Sequence, residues 1–150
     1  MKEWERAWLA AAIDGEGTIS LHRNGGGKVR PSLRGFSYAP IVLVCNTNLD
    51  FCKFAQKITG VGRIQTIKRK APYKTLYRWV VTGRRCKPIL LEICPYLIIK
   101  EKHAFSLFEA IGWIEKNTRN TAHWHEARLV ELHHQLYFFN TNRRFEDAVL

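Results

Sequence analysis

Alternating apolar and polar positions divide the chain into helix-like and strand-like runs, separated by glycine, asparagine and proline. Over residues 3–13, Trp4, Trp8, Ala11 and Ala12 recur at helical spacing, and Gly15 with Gly17 ends the run. Residues 18–23 alternate as a half-buried strand does, and Asn24-Gly25-Gly26-Gly27 turns the chain. Residues 36–45 read as a second strand, in which Pro40 argues for an edge position or a bulge. Asn46 and Asn48 are suited to cap a helix running to about Ile58, which Gly60-Val61-Gly62 closes. Two more strand-like runs follow at 63–69 and 75–82, with Ala71-Pro72-Tyr73 between them. Helices are expected over 87–94, 101–116 and 122–139, ahead of a polar tail. The order αββαββα with further C-terminal helices predicts an α+β fold: one antiparallel four-stranded sheet with helices on one face.

Length changes little in this picture. The 150 residues suit one domain spanning 1–150, with 46% hydrophobic residues to fill its core. Charge changes more. Lys and Arg number 24 against 13 Asp and Glu, a net charge of +11, which points to a polyanionic partner and first to nucleic acid. Cys45, Cys52, Cys86 and Cys94 form no CxxC pair and sit among apolar neighbours, so free thiols are expected rather than a zinc site. The apolar run near the N-terminus is short and ends in acids, unlike a signal peptide or a membrane span. The expected location is inside the cell, in prokaryotic cytoplasm or in an organelle, with no membrane partner.

The chemistry concentrates in Leu9-Ala10-Ala11-Ala12-Ile13-Asp14-Gly15-Glu16-Gly17. Three successive alanines give a helix with almost no side-chain thickness, so two such helices can pack closely. Asp14 and Glu16 then stand at the helix C-terminus, where the macrodipole is itself negative. Carboxylates placed there suggest a compensating cation, and free helix-end carbonyls would add the hard oxygens that Mg²⁺ prefers.

This segment resembles, position by position, the LAGLIDADG motif of homing endonucleases, with Ala11 in place of the usual Gly. The resemblance extends to about Lys116 and implies a saddle-shaped sheet over double-stranded DNA. It implies a homodimer joined through the motif helices, with Leu9, Ala10, Ala11, Ile13 and Asp14 at the interface. The last acid of the motif, here Glu16 where Asp is more usual, would bind a catalytic divalent ion together with the Gly15 carbonyl. Mg²⁺ is the implied ion, with Mn²⁺ as a substitute. Asp14 matches the first acid, whose family role leans toward helix-end structure. Asn46 matches a polar residue that positions water, although a helix cap explains it equally well. Lys100 matches an active-site lysine, with Lys102 a neighbouring competitor. Together Glu16, Asn46 and Lys100 are the implied catalytic set. The implied reaction is hydrolysis of both strands of a long pseudo-palindromic site, leaving 3′ overhangs. The alternatives are an RNA-splicing maturase that binds intron RNA, and a non-cleaving DNA-binding protein.

Strand parity then selects the DNA-reading residues. Ser20, His22 and Asn24 share a face on the first strand, as do Arg63, Gln65, Ile67 and Arg69 on the third. On the fourth, Arg78 and Thr82 are assigned to DNA, and Tyr77, Trp79 and Val81 to the core. Arg suits guanine and Gln suits adenine in the major groove. Arg23, Lys28, Arg30 and Arg34 of the first hairpin, and Lys68, Lys70 and Lys74 of the second, are expected to meet phosphates. His123, His125, His133 and His134 lack metal-site spacing and are assigned to helix surface.

Overall fold

The computed structural model describes residues 1–25, 36–116 and 123–141. The elements are α1 (Glu3–Glu16), β1 (Gly17–Gly25), β2 (Phe36–Asn46), α2 (Leu49–Thr59), β3 (Arg63–Ile67), β4 (Leu76–Thr82), α3 (Cys86–Ile93), α4 (Glu101–Lys116) and α5 (His123–Thr141). The four strands form one antiparallel sheet in the order β1-β2-β4-β3.

One face of that sheet carries the core. Ile19 and Leu21 of β1, Val42 and Val44 of β2, and Trp79 and Val81 of β4 pack against all five helices, including Ile13, Ala55, Leu90, Leu107 and Leu136. Period-two alternation explains this placement, since every second side chain of a strand faces the same way. Trp79 is fully buried, and its Nε1 donates to the Val61 carbonyl at 2.9 Å. That bond fixes the turn after α2, where Gly60 and Gly62 have φ of 67° and 91°. A Cβ on Gly62 would collide with Trp79 Nε1, so glycine is required there for space as well as for backbone conformation.

Several expected boundaries move. The motif helix continues through Gly15 to Glu16 rather than stopping at Ile13. Gly15 tolerates a helical conformation, and only Gly17 leaves it, with φ −109° and ψ 176°. Strand β3 ends at Ile67, so Arg69 stands in the exposed connection rather than on the reading strand. Pro40 lies in a central strand without a bulge. It pairs only with Leu21 of β1, because the β4 ladder begins at Ile41, and no β4 hydrogen bond is lost.

Helix α5 covers the outer edge of β1. Asn140 Nδ2 donates to the Ile19 carbonyl at 3.0 Å, and His133 Nδ1 lies 2.6 Å from the Leu21 carbonyl. His133 is therefore a packing residue rather than helix surface, whereas the side chains of His123 and His125 lie outside the described residues. No described helix is long and apolar enough to cross a membrane.

Candidate functional site

The motif helix meets the sheet through Gly17. A Cβ there would lie 2.7 Å from the Ile13 Cα and 2.8 Å from the Leu43 carbonyl, so glycine lets the chain pass from helix to strand against β2. The transition leaves the Glu16 side chain exposed at the end of the sheet. Among the described residues Glu16 forms no salt bridge.

Asp14 is held quite differently. Its carboxylate accepts from three successive backbone amides, Ile98 N at 2.8 Å, Ile99 N at 3.2 Å and Lys100 N at 2.9 Å. These amides lead directly into α4, so the carboxylate faces the positive end of that helix dipole. Backbone amides, together with the Lys100 ammonium, offset the unfavourable position of Asp14 on its own helix. Lys100 Nζ in turn donates to the Asp14 carbonyl, one of the acceptors that the end of α1 leaves free. Burial pushes the Lys100 pKa down, while the Asp14 charge pushes it up. The lysine thus stands at the same helix end as Glu16, two residues away along α1.

Asn46 ends β2 at this same end of the sheet, because Gly17 pairs with Val44. Its Oδ1 accepts from Asn48 N at 2.8 Å, and Asn48 Oδ1 accepts from Asp50 N at 2.9 Å, so Asn48 caps α2 and Asn46 holds the preceding turn. Asn46 is therefore not the cap of α2, and its side-chain NH₂ is left at the same end of the sheet as the motif.

The interface assignment needs correction. Leu9, Ala10 and Ile13 are fully buried within their own subunit and belong to its core, so they present nothing to a partner. Asp14 is committed to residues 98–100. The exposed positions of the helix are Glu3, Trp4, Ala7, Ala11, Gly15 and Glu16. Sequence similarity identifies a motif but not which side of its helix is inward. The apolar Leu9 and Ile13, four residues apart, were the available signal for the core face.

Metal donors are few. Among the described residues no three His, Cys, Asp or Glu side chains cluster to hold an ion. Glu16 offers one hard carboxylate, with the Gly15 carbonyl adjacent in the chain. This set fits a divalent cation only if further oxygens come from outside the subunit.

Among the described residues, no helix lies over the second face of the sheet. The register aligns Ser20 with Ile41 and Thr82, and Thr18 with Leu43, Val80 and Arg63. It also aligns Cys45 with Arg78 and Gln65, and His22 with Ala39. The expected reading residues Ser20, His22, Asn24, Arg63, Gln65, Ile67 and Arg78 all have this parity. A shallow concavity of ≈ 400 Å³ runs between His22 and Asn24 on one side and Arg63, Gln65 and Arg78 on the other. Arg78 Nε is buried without a hydrogen-bond partner, an unmet donor on a cationic face. Lys70 and Lys74 are exposed in the β3–β4 connection, while Lys28, Arg30 and Arg34 lie outside the described residues.

No protein-family model and no curated protein matches this chain. Solved structures do. The homing endonuclease I-CvuI, crystallised with the I-CreI target and Mg without cleavage of the DNA, superposes with a TM-score of 0.75 at 21% identity, covering 95% of this chain and 85% of that one. The archaeal intron-encoded homing endonuclease I-Vdi141I, complexed with DNA, gives 0.77 at 18% identity, covering 96% and 89%. The LAGLIDADG meganuclease I-CpaMI, bound to uncleaved DNA, gives 0.67 at 19% identity, covering 85% of this chain and 42% of that one. The fold is that of the LAGLIDADG homing endonucleases.

Proposed function

We propose that this chain is a site-specific DNA endonuclease that works as a homodimer with a divalent metal ion, Mg²⁺ or in its place Mn²⁺. One observation carries the reading: the exposed Glu16 carboxylate stands at the end of a helix whose strand continues into a cationic, uncovered sheet face. The fold likeness to proteins crystallised on DNA supports it.

A duplex has approximate two-fold symmetry, and one motif supplies one cleavage centre. A C₂ pair of subunits supplies two and matches the half-sites of a pseudo-palindrome. The exposed Ala7, Ala11 and Gly15 side of α1 is thin enough for two such helices to pack closely. That pairing would bring two Glu16 carboxylates together, an arrangement of like charges that favours cation uptake. Glu16 and the Gly15 carbonyl would hold the ion. When bound, it would polarise the scissile phosphate and make water a better nucleophile. Lys100, docked on the Asp14 carbonyl, places a positive charge where the phosphorane-like transition state gains negative charge. Asn46 offers its amide to order water. Cuts on both strands would leave 3′ overhangs.

The test is Glu16→Gln, which removes the charge and nearly preserves the shape. With duplexes selected from a long randomised library, the wild type should cleave in Mg²⁺. The variant should bind them equally and leave them intact. Cleavage by the variant at the wild-type rate overturns the assignment of Glu16.

A further inference from the structure

Strand β2 is apolar on both of its faces. Val42 and Val44 point into the core, yet Ala39, Ile41, Leu43 and Cys45 occupy every outward position from 39 to 45. Across the ladder Val80 joins them, opposite Leu43 and only 4% exposed. Ile41, Leu43 and Val80 are not part of the core cluster that packs under the helices. A strand apolar on both faces is normally covered on both. Here no described helix covers the second face, and Ala39, Ile41 and Val80 line its concavity between His22 and Asn24 on one flank and Arg63, Gln65 and Arg78 on the other.

We infer that this strip is a reader of thymine methyl groups, and that each half-site places T·A pairs over Ala39, Ile41 and Leu43, with the buried Val80 packed beneath them. The inference rests on the endonuclease reading and adds a base class to it. Three features point to this occupant. The cationic flank and the net charge of +11 favour a polyanion over a second copy of the same basic face. The concavity lies on the face of the sheet and is rimmed by the polar side chains of His22, Asn24, Arg63, Gln65 and Arg78, the kind of groups that meet base edges and phosphates. Within the major groove the thymine C5-methyl is the one apolar group a base edge offers, and aliphatic side chains meet it without leaving a polar edge unpaired. Arg63, Gln65 and Arg78 flank the strip with hydrogen-bonding groups suited to purines, so the expected half-site is graded, purine-rich beside a T-containing centre.

The experiment selects binding duplexes from a randomised library in Ca²⁺ and then replaces single thymines by deoxyuridine, which removes only the methyl. Enriched sites should carry T·A pairs at the central positions of each half-site. Deoxyuridine there should weaken binding about three- to fivefold per methyl, and substitution elsewhere should not. Ile41→Ser, at a partly exposed position outside the core, should abolish that penalty at one pair per half-site while keeping affinity for the phosphate backbone. Circular dichroism establishes that the variant is folded, and Ala39→Ser repeats the test with a smaller change. Deoxyuridine binding as well as thymine at every position overturns the inference and leaves the DNA reading intact. A self-association of the wild type abolished by Ile41→Ser assigns the strip to a second copy and also overturns it. Failure to enrich any duplex overturns the DNA reading, and the inference with it.

Discussion

Asp14 and Glu16 are separated by one glycine, yet their surroundings divide their roles. Asp14 is bound by three amides 84 to 86 residues away in sequence, and Glu16 is exposed. Charge-assisted bonds to backbone amides are individually stronger than neutral ones. Asp14→Ala should therefore lower stability by about 1–3 kcal/mol, read as a lower urea midpoint at unchanged slope. An unchanged midpoint would show that the amides find water just as readily. The periodicity of the chain indicates that residue 14 ends a helix, but nothing local to it announces partners in residues 98–100. Read locally, the same carboxylate calls for a cation instead.

Two histidines give the residue scale a pH dependence. Burial pushes the pKa of His103 and of His133 below the ordinary histidine value. His103 Nδ1 is buried without a partner, and His133 Nδ1 faces the Leu21 carbonyl. The folded chain thus binds fewer protons at these sites than the unfolded chain does. Their contribution is complete above the unfolded histidine pKa of about 6.5 and declines as pH falls below it. Urea midpoints taken from pH 7.5 to 5.5 should fall, and His133→Gln should flatten part of that slope. A wild-type midpoint that stays level over this range would contradict the assignment.

At the scale of elements, the two glycines of the motif have opposite requirements. Nothing lies within 4 Å of a Cβ built on Gly15, whereas Gly17 is pressed against Ile13 and the Leu43 carbonyl. Gly17→Ala should destabilise the fold by about 2–3 kcal/mol, because backbone atoms on both sides must shift. Gly15→Ala should be neutral or stabilising for one subunit by about 0.5–1 kcal/mol, since helix propensity improves. Thermal melts of the two variants side by side would check the contrast, and equal losses would refute it. Strand β1 was legible because Ile19 and Leu21 alternate with Thr18, Ser20 and His22, whereas β3 and β4 were legible from their β-branched and aromatic residues between turns rather than from strict alternation. Strand β2 was legible as a strand, but its sequence could not say that one apolar face would be left uncovered. The ends were less legible. Strand β3 stops at Ile67, where the consecutive charges Lys68, Arg69 and Lys70 begin, and its partner β4 begins only at Leu76.

On the scale of the whole molecule, the exposed side of α1 is the surface that the proposed homodimer would use. Ala11 is exposed in the single subunit, so a larger side chain leaves the core undisturbed. Ala11→Leu should nevertheless separate two closely packed helices, and a two-fold interface would feel the change twice. Sedimentation should show a wild-type dimer and a folded monomeric variant that no longer cuts both strands. A monomeric wild type, alone and on DNA, would contradict homodimer formation. The nine motif residues were enough to indicate the fold, which the solved structures share at 21% identity and below. They were not enough to orient the helix: Leu9, Ala10 and Ile13 face inward because the sheet and α3 need apolar cover there.

The cover that α5 gives to β1 also bears on how the molecule avoids growing. A sheet with a bare edge is a template on which other chains can add strands. On the β1 side the Ile19 and Leu21 carbonyls are already taken by Asn140 and His133. The opposite edge, β3, is only five residues long and runs into Lys68, Arg69 and Lys70, whose charges repel a copy of themselves. Protection from fibril-like stacking is therefore supplied in two unlike ways, by a lid of helix on one side and by brevity and charge on the other. The helical side is the more vulnerable, because a chain shortened before residue 123 would offer a nine-residue edge with no such guard.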